Sequence, residues 1–292
     1  MNRPPHVAVS GELGSGKSSV ARRLAEHFSL RMVSTGDIQR SIARSLNLST
    51  LETNWLAERD HVIDSKVDQV TRDLGTEPEP IVFDSRMAWY MVPNSYKIHL
   101  LVDPLIAAKR LHSTRSSPTE QYESASHARE LAEERYRSEQ RRFLTTYGVD
   151  VFRLRNYHLV IDSSGADVEQ VLEVILRHLD HEPAAESRPN LYVHPRRIMP
   201  DRPTWRQDAS SGSSAVKVCY SRPTFCSVEG HRAALDAVAR EETLVEAELI
   251  VEGSEPVGSG LTATDHINQL TREPWVELWR EQYGLECSSA LH

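Results

Sequence analysis

The sequence predicts an α/β fold: a five-stranded parallel sheet with flanking helices, plus a smaller α+β unit at the C-terminal end. Three observations predict it. Short apolar runs alternate with longer amphipathic ones through about residue 180, the pattern of strands joined by crossover helices. A polar, proline-bearing stretch, His181-Glu182-Pro183-Ala184-Ala185-Glu186-Ser187-Arg188-Pro189, then reads as a linker. After it the texture changes to alternating strand-like segments and short helices. The division expected is residues 1–180 and residues 190–292.

In the first part, Val7-Ala8-Val9 reads as a buried strand running into a glycine-rich turn. Val20, Leu24 and Phe28 recur at helical spacing. Arg31-Met32-Val33 is the second strand, and residues 36–46 and 51–74 read as helices. Ile81-Val82-Phe83 is the third strand, Ile98 to Val102 the fourth and Leu159-Val160-Ile161 the fifth, with helices at about 104–112 and 126–146. Val168, Val171, Leu172, Ile175, Leu176 and Leu179 make one apolar stripe on a further helix. In the second part, Val216 to Tyr220, Phe225 to Val228 and Leu244 to Val251 read as strands, with a helix over 231–240. Trp275, Trp279 and Tyr283 fall at i, i+4 and i+8 on a terminal helix, a stripe expected to pack on a core and to dock the tail on the first part.

Composition narrows the class. Hydrophobic residues are 39% and charged residues 26%, the balance of a folded globular chain. No apolar run is long enough to cross a membrane, and the N-terminal residues lack the pattern of a secretory signal. Cys219, Cys226 and Cys287 are spread out and predict neither a disulfide framework nor a zinc site. A cytoplasmic protein is expected. Residues 1–180 carry 23 Lys+Arg against 25 Asp+Glu, and residues 181–292 carry 11 against 17. So acidic a C-terminal part is ill suited to a nucleic-acid phosphate backbone, and no DNA partner is expected.

The strongest motif is Gly11-Glu12-Leu13-Gly14-Ser15-Gly16-Lys17-Ser18, followed by Ser19. It fits G-x-x-x-x-G-K-[ST] between a strand and a helix. Gly11, Gly14, Ser15 and Gly16 let backbone N–H groups wrap phosphate oxygens, and the helix N-terminus adds its positive end. Lys17 is expected to bridge the β- and γ-phosphates of ATP, and Ser18 to ligate Mg²⁺.

A second anion site follows. Ser34-Thr35-Gly36-Asp37-Ile38-Gln39-Arg40 is a small-residue turn leading to a helical arginine, a side chain able to grip a phosphate with two parallel hydrogen bonds. Asp84-Ser85-Arg86 ends the third strand. Asp84 is placed to hold a metal-bound water, and Arg86 to reach the crevice at the strands' carboxyl ends.

These stretches, together with Ile63-Asp64, Asp68, Arg135 to Arg142, Tyr147-Gly148-Val149-Asp150 and Val160-Ile161-Asp162-Ser163, resemble the cytidylate kinase family, in its compact prokaryotic branch, over about residues 5–180. The resemblance implies that Arg40 and Arg86 hold an acceptor monophosphate beside Gly36 and Asp37. It also implies that Asp64 and Asp68 lie on the helix flanking its base. Ser85, Gln39, Trp89 and Tyr90 depart from the family pattern at the acceptor pocket and leave the acceptor's identity open.

Seven arginines and six glutamates lie between residues 110 and 142. Arg135, Arg137 and Arg142 resemble the family's lid helix, where cations would meet the charge spread over the transferring group. Arg135 and Arg137 are the catalytic candidates, with Glu133–Arg137 equally readable as a surface pair. Beyond the linker, Phe225 to Ala234 is similar to a short stretch of the ParB-like and sulfiredoxin-like fold, which would put Gly230, His231 and Arg232 at a phosphate site on a helix N-terminus. A substrate-shaping or dimerising appendage is the alternative, and a homodimer through this part is a further expectation.

The function expected is ATP- and Mg²⁺-dependent phosphoryl transfer to a small phosphorylated acceptor. A nucleoside monophosphate is favoured, either CMP/dCMP or a modified pyrimidine nucleotide. The alternatives are a kinase of a non-nucleotide metabolite and a non-catalytic ATP-binding regulator.

Overall fold

The computed structural model describes residues 4–38, 41, 62–113, 122–180, 188–203, 215–257 and 260–285. The five expected strands are present as β1 (Val7–Gly11), β2 (Arg31–Ser34), β3 (Ile81–Asp84), β4 (Tyr96–Leu101) and β5 (Leu159–Asp162). They pair parallel in the order β2-β3-β1-β4-β5. Parallel neighbours need crossover helices that cover both faces. These are α1 (Lys17–Phe28), α2 (Val62–Leu74), the one-turn α3 (Ala88–Met91), α4 (Pro104–Ser113), α5 (Ala125–Tyr147) and α6 (Val168–Leu179). Residues 35–38 are helical, but most of the helices expected over 36–46 and 51–61 lies outside the described residues. In α6 the Asp167 side chain accepts from Gln170 N and the Gln170 side chain accepts from Asp167 N, a reciprocal cap that satisfies two orphan donors.

The sheet does not end at β5, as the sequence predicts. β6 (Asn190–Val193) pairs parallel with β5 and antiparallel with β10 (Val245–Glu252). The strands β8 (Val216–Ser221), β9 (Thr224–Glu229) and β7 (Ile198–Met199) continue outward from β10, so ten strands form one sheet. One apolar cluster accordingly runs from Phe83 and Tyr157 to Leu191, Val218 and Leu249. The joining strand carries only Leu191, Tyr192 and Val193 as apolar signal, too short to identify its partner from sequence.

The remaining helices are α7 (His231–Ala239), α8 (Ala263–Leu270) and α9 (Pro274–Tyr283). The aromatic stripe on α9 packs on Met199, Cys219, Cys226, Ala263 and Ile267. That corrects the expectation that it docks on the first part: the stripe closes a core local to the C-terminal strands. No helix among the described residues is long and apolar enough to cross a membrane.

Candidate active site

The register fixes which side chains meet. Asp84 at the end of β3 lies beside Val9 of β1 and Ser34 of β2, so three strand ends open into one crevice, where ligands bind in such sheets. A cavity of about 380 Å³ occupies it. Lys17, Ser18, Gly36, Asp68, Asp84, Arg86 and Arg135 all reach its wall.

The loop from Gly11 to Ser18 is held from behind. Glu12 N–H donates to Leu100 O at 3.0 Å, Ser163 Oγ to Ser15 O at 2.9 Å, and Arg110 Nη1 to Gly14 O at 3.3 Å. Two glycines are required by conformation. Gly14 has φ +81°, and a Cβ there would come within 2.9 Å of the Ala107 backbone. Gly16 has φ +79° and caps α1 with no side-chain hydrogen bond. The free N–H groups of that helix end are left for an anion.

Lys17 contacts the buried Asp84 carboxylate. Burial and the Arg86 charge together lower its ammonium to about 7, against the pull of Glu139. Desolvation of the partly buried Arg86 lowers its pKa, while Glu139 opposes the shift. Arg86 Nε lies 2.6 Å from Glu139 Oε2, and Arg135 Nε lies 3.0 Å from Glu139 Oε1. Glu139 thus ties the end of β3 to helix α5 and aligns two guanidinium groups along the cavity. A bound polyphosphate would restore the Lys17 charge that burial disfavours.

Asp68 also faces the cavity, where it accepts from Tyr147 Oη at 2.8 Å. Asp37 is spent locally: Ser34 Oγ donates to its carboxylate at 2.7 Å and accepts from its N–H at 3.1 Å. Arg40 lies outside the described residues, as does the side chain of Asp64.

Several expected site residues do not reach the cavity. Arg137 pairs with Glu133 at 3.2 Å on the exposed side of α5, because residues two apart on a helix point about 200° apart and only Arg135 faces inward. Ser19 is exposed on the first turn of α1. Trp89 is buried against Tyr157, and Ser85 Oγ accepts from Met87 N and Ala88 N, capping α3. Trp89 is therefore framework, whereas Ser85 braces the turn and also lines the cavity.

The C-terminal candidates separate as well. Gly230 has φ +77° and starts α7. His231 is buried with Nδ1 3.1 Å from Ser227 Oγ, and Arg232 pairs with Asp236 at 2.9 Å on the exposed face. Among the described residues, these three line none of the cavities at the phosphate loop, at α5 or beside α9, and the His231 and Arg232 side chains point to different partners.

Arg142, expected on the lid helix, lines the cavity, but sequence reasoning missed Glu139 and Tyr147 as lining residues. Glu139 carried a signal, at i+4 from Arg135, but the same spacing serves surface pairs. It also missed Arg222, in the turn between β8 and β9. That guanidinium lies 2.6 Å from Glu12 Oε1 of the phosphate loop and 2.8 Å from Glu133 Oε2 of α5, and stacks 3.6 Å over the Tyr136 ring. Nothing in sequence links positions so far apart.

A parallel sheet carrying this loop, with a lysine at its tip and Arg86 and Arg135 across the cleft, defines a P-loop kinase-like phosphotransferase. The profile of the Cytidylate kinase-like family matches residues 6–165, over half of the chain. The chain belongs to that family. It is 33% identical to the cytidylate kinase of Methanosarcina barkeri over 177 residues, covering 60% of this chain and 96% of the relative. It is 35% identical to that of Haloarcula marismortui over 176 residues, covering 60% and 88%. With the cytidylate kinase of Aeropyrum pernix it shares 36% identity over 171 residues, covering 58% and 95%.

Proposed function

We propose that the enzyme transfers the γ-phosphoryl group of ATP to a nucleoside monophosphate, with CMP, dCMP or a modified pyrimidine nucleotide as favoured acceptor. One observation carries the reading. Lys17, Arg86 and Arg135, from three separate elements, face one cavity of about 380 Å³ that abuts the phosphate loop, a volume suited to a small ligand.

The loop's backbone N–H groups and Lys17 would hold the ATP phosphates. Arg86 would present the acceptor phosphate, with Arg40 as its expected second grip. An acceptor phosphate oxygen attacks the γ-phosphorus as the bond to the β–γ bridging oxygen breaks, yielding ADP and a diphosphate. Arg135 meets the charge that spreads over the equatorial oxygens. The Ser18 hydroxyl and the Asp84 carboxylate offer the hard oxygen donors that suit Mg²⁺, which would supply charge neutralisation at the phosphates. Asp68, fixed by Tyr147, is placed to accept from a base amino group, a feature that favours cytosine over uracil.

The test is ADP release over a panel of nucleoside monophosphates and small alcohols or phosphate esters. CMP or dCMP should lead by kcat/KM. A non-nucleotide substrate leading the panel would replace the acceptor while leaving the transfer reaction intact. ADP release with no acceptor in the panel would retire the reading.

A further inference from the structure

Glu12 poses an electrostatic problem. It is the second residue of the phosphate loop and is only 8% exposed. A carboxylate buried beside the seat of a polyphosphate repels the ligand that the loop exists to hold. Its two oxygens have defined partners: Oε2 accepts from Val102 N at 3.1 Å, and Oε1 lies 2.6 Å from Arg222 Nε. The countercharge therefore comes from the β8–β9 turn, 210 residues along the chain and beyond the family match that ends at residue 165.

Arg222 is built in, not incidental. Its Nη1 donates to Glu133 Oε2 at 2.8 Å, and its guanidinium lies 3.6 Å over the Tyr136 ring. Both partners are on α5, the helix that carries Arg135 and Glu139 into the active site. Burial works against the arginine's charge, but Glu12 and Glu133 outweigh it and raise its pKa. A planar fork can serve two carboxylates and a ring at once, which a lysine cannot.

We propose that Arg222 is a positioning residue for phosphoryl transfer: it neutralises Glu12 so that the loop accepts ATP, and it clasps α5 to the loop. The C-terminal strands thereby supply part of the kinase site. This rests on the reading of Gly11 to Ser18 as the ATP loop. A polar residue acting only as packing would not depend on the charge of its partner, and that difference supplies the test.

KM for ATP and kcat are measured for wild type, Arg222→Ala, Glu12→Gln and the double variant, with ATP affinity by calorimetric titration. Arg222→Ala should raise KM for ATP by about tenfold or more, the effect of one poorly screened charge. Adding Glu12→Gln should bring KM back to within about threefold of wild type. Arg222→Lys keeps the charge without the fork, and covers the case that Arg222→Ala does not fold; it should hold ATP affinity but lower kcat. No rescue by Glu12→Gln, or unchanged KM in Arg222→Ala, overturns the proposal. Absence of ATP binding by wild type would instead overturn the loop reading, so the two failures are distinguishable.

An independent observation lies at the other end of the sheet. Cys219 and Cys226 are directly paired across β8 and β9, and their sulfurs lie within 4.8 Å of each other and of a ring nitrogen of His266 on α8. Both cysteines are free and buried. Met199 is register-paired with Cys226 and shares the cluster. Two thiolates and an imidazole are a donor set for zinc, with one position left to fill. We infer a zinc site at Cys219, Cys226 and His266, contrary to the spacing argument from sequence.

Full-length protein purified without chelator should contain about one zinc per chain by elemental analysis, the occupancy of a single site. Cobalt exchange should give a thiolate charge-transfer band. Cys226→Ser should lose both signals, and so should His266→Ala, which touches less of the core. A chain that stays metal-free under reducing conditions and takes up no cobalt overturns the site, as does a Cys219–Cys226 disulfide in protein freshly isolated with reductant.

Discussion

Two helix starts in this molecule are nearly identical locally and differ in everything around them. Gly16 and Gly230 both immediately precede a helix, both have φ near +80°, and neither helix has a side-chain cap. At Gly16 the space that a Cβ would fill is open, and Lys17 and Ser18 line the central cavity. At Gly230 a Cβ would come 2.9 Å from Ala215 O, and the next two side chains are taken by Ser227 and Asp236. A helix dipole offers a modest field wherever it ends. It becomes a site only where the sheet leaves a crevice and other elements bring cations to it.

The largest test of that contrast is Lys17→Ala. It should lower kcat/KM by about 100-fold or more, while circular dichroism and the melting temperature stay those of a folded chain. Retained turnover would remove the distinction between the two helix starts.

The next concerns how far the two halves are separate. Asp162 at the end of β5 is fully buried and lies 2.7 Å from Arg197 Nη1, a side chain beyond the linker. Arg197→Ala strands that carboxylate and should cost about 3–5 kcal/mol by urea unfolding. Wild type should unfold in one transition, as expected when one core crosses both halves. Two resolved transitions would show that the shared sheet does not couple them.

A third expectation concerns acid. His99 on β4 is fully buried between Tyr157 and Phe152, and burial followed by the Arg86 charge lowers it to about 3. The unfolded chain takes up that proton below about pH 6.5, whereas the folded chain does so only near pH 3. Stability from the neutral ring is therefore complete above about pH 6.5. It is lost as pH falls toward 3, at up to about 1.4 kcal/mol per pH unit. His99→Leu should flatten the stability–pH slope in that window; an unchanged slope would assign acid lability elsewhere.

The smallest effects sharpen the contrast from the other side. Arg137→Ala and Arg232→Ala each remove an exposed i,i+4 pair. Activity should stay within about twofold of wild type, since such pairs contribute little. A large loss in either would restore a role that the geometry does not support.

Much of this was legible before any coordinates. The glycine–lysine motif needs a strand before it and a helix after it, and all three are local. The five parallel strands announced themselves by apolar runs, and Asp84 and Arg86 by their place at a strand end. Arg135 could be told from Arg137 only once α5 was set against β3, because both lie on one helix and the pattern of charges suits either face. The pairing of Cys219 with Cys226 depends on hairpin register, which spacing alone does not supply.

The chain by itself determined the local structures: which segments are strands or helices, and that one turn must wrap an anion. Those follow from side-chain periodicity and from the dihedral angles open to glycine, properties of neighbours in sequence. Only the tertiary structure decided that β6 carries the sheet on past β5, that Glu139 aligns two arginines, and that Arg222 answers the charge of Glu12. Those are contacts between distant positions, and their energy depends on burial and geometry that exist only after the sheet has formed.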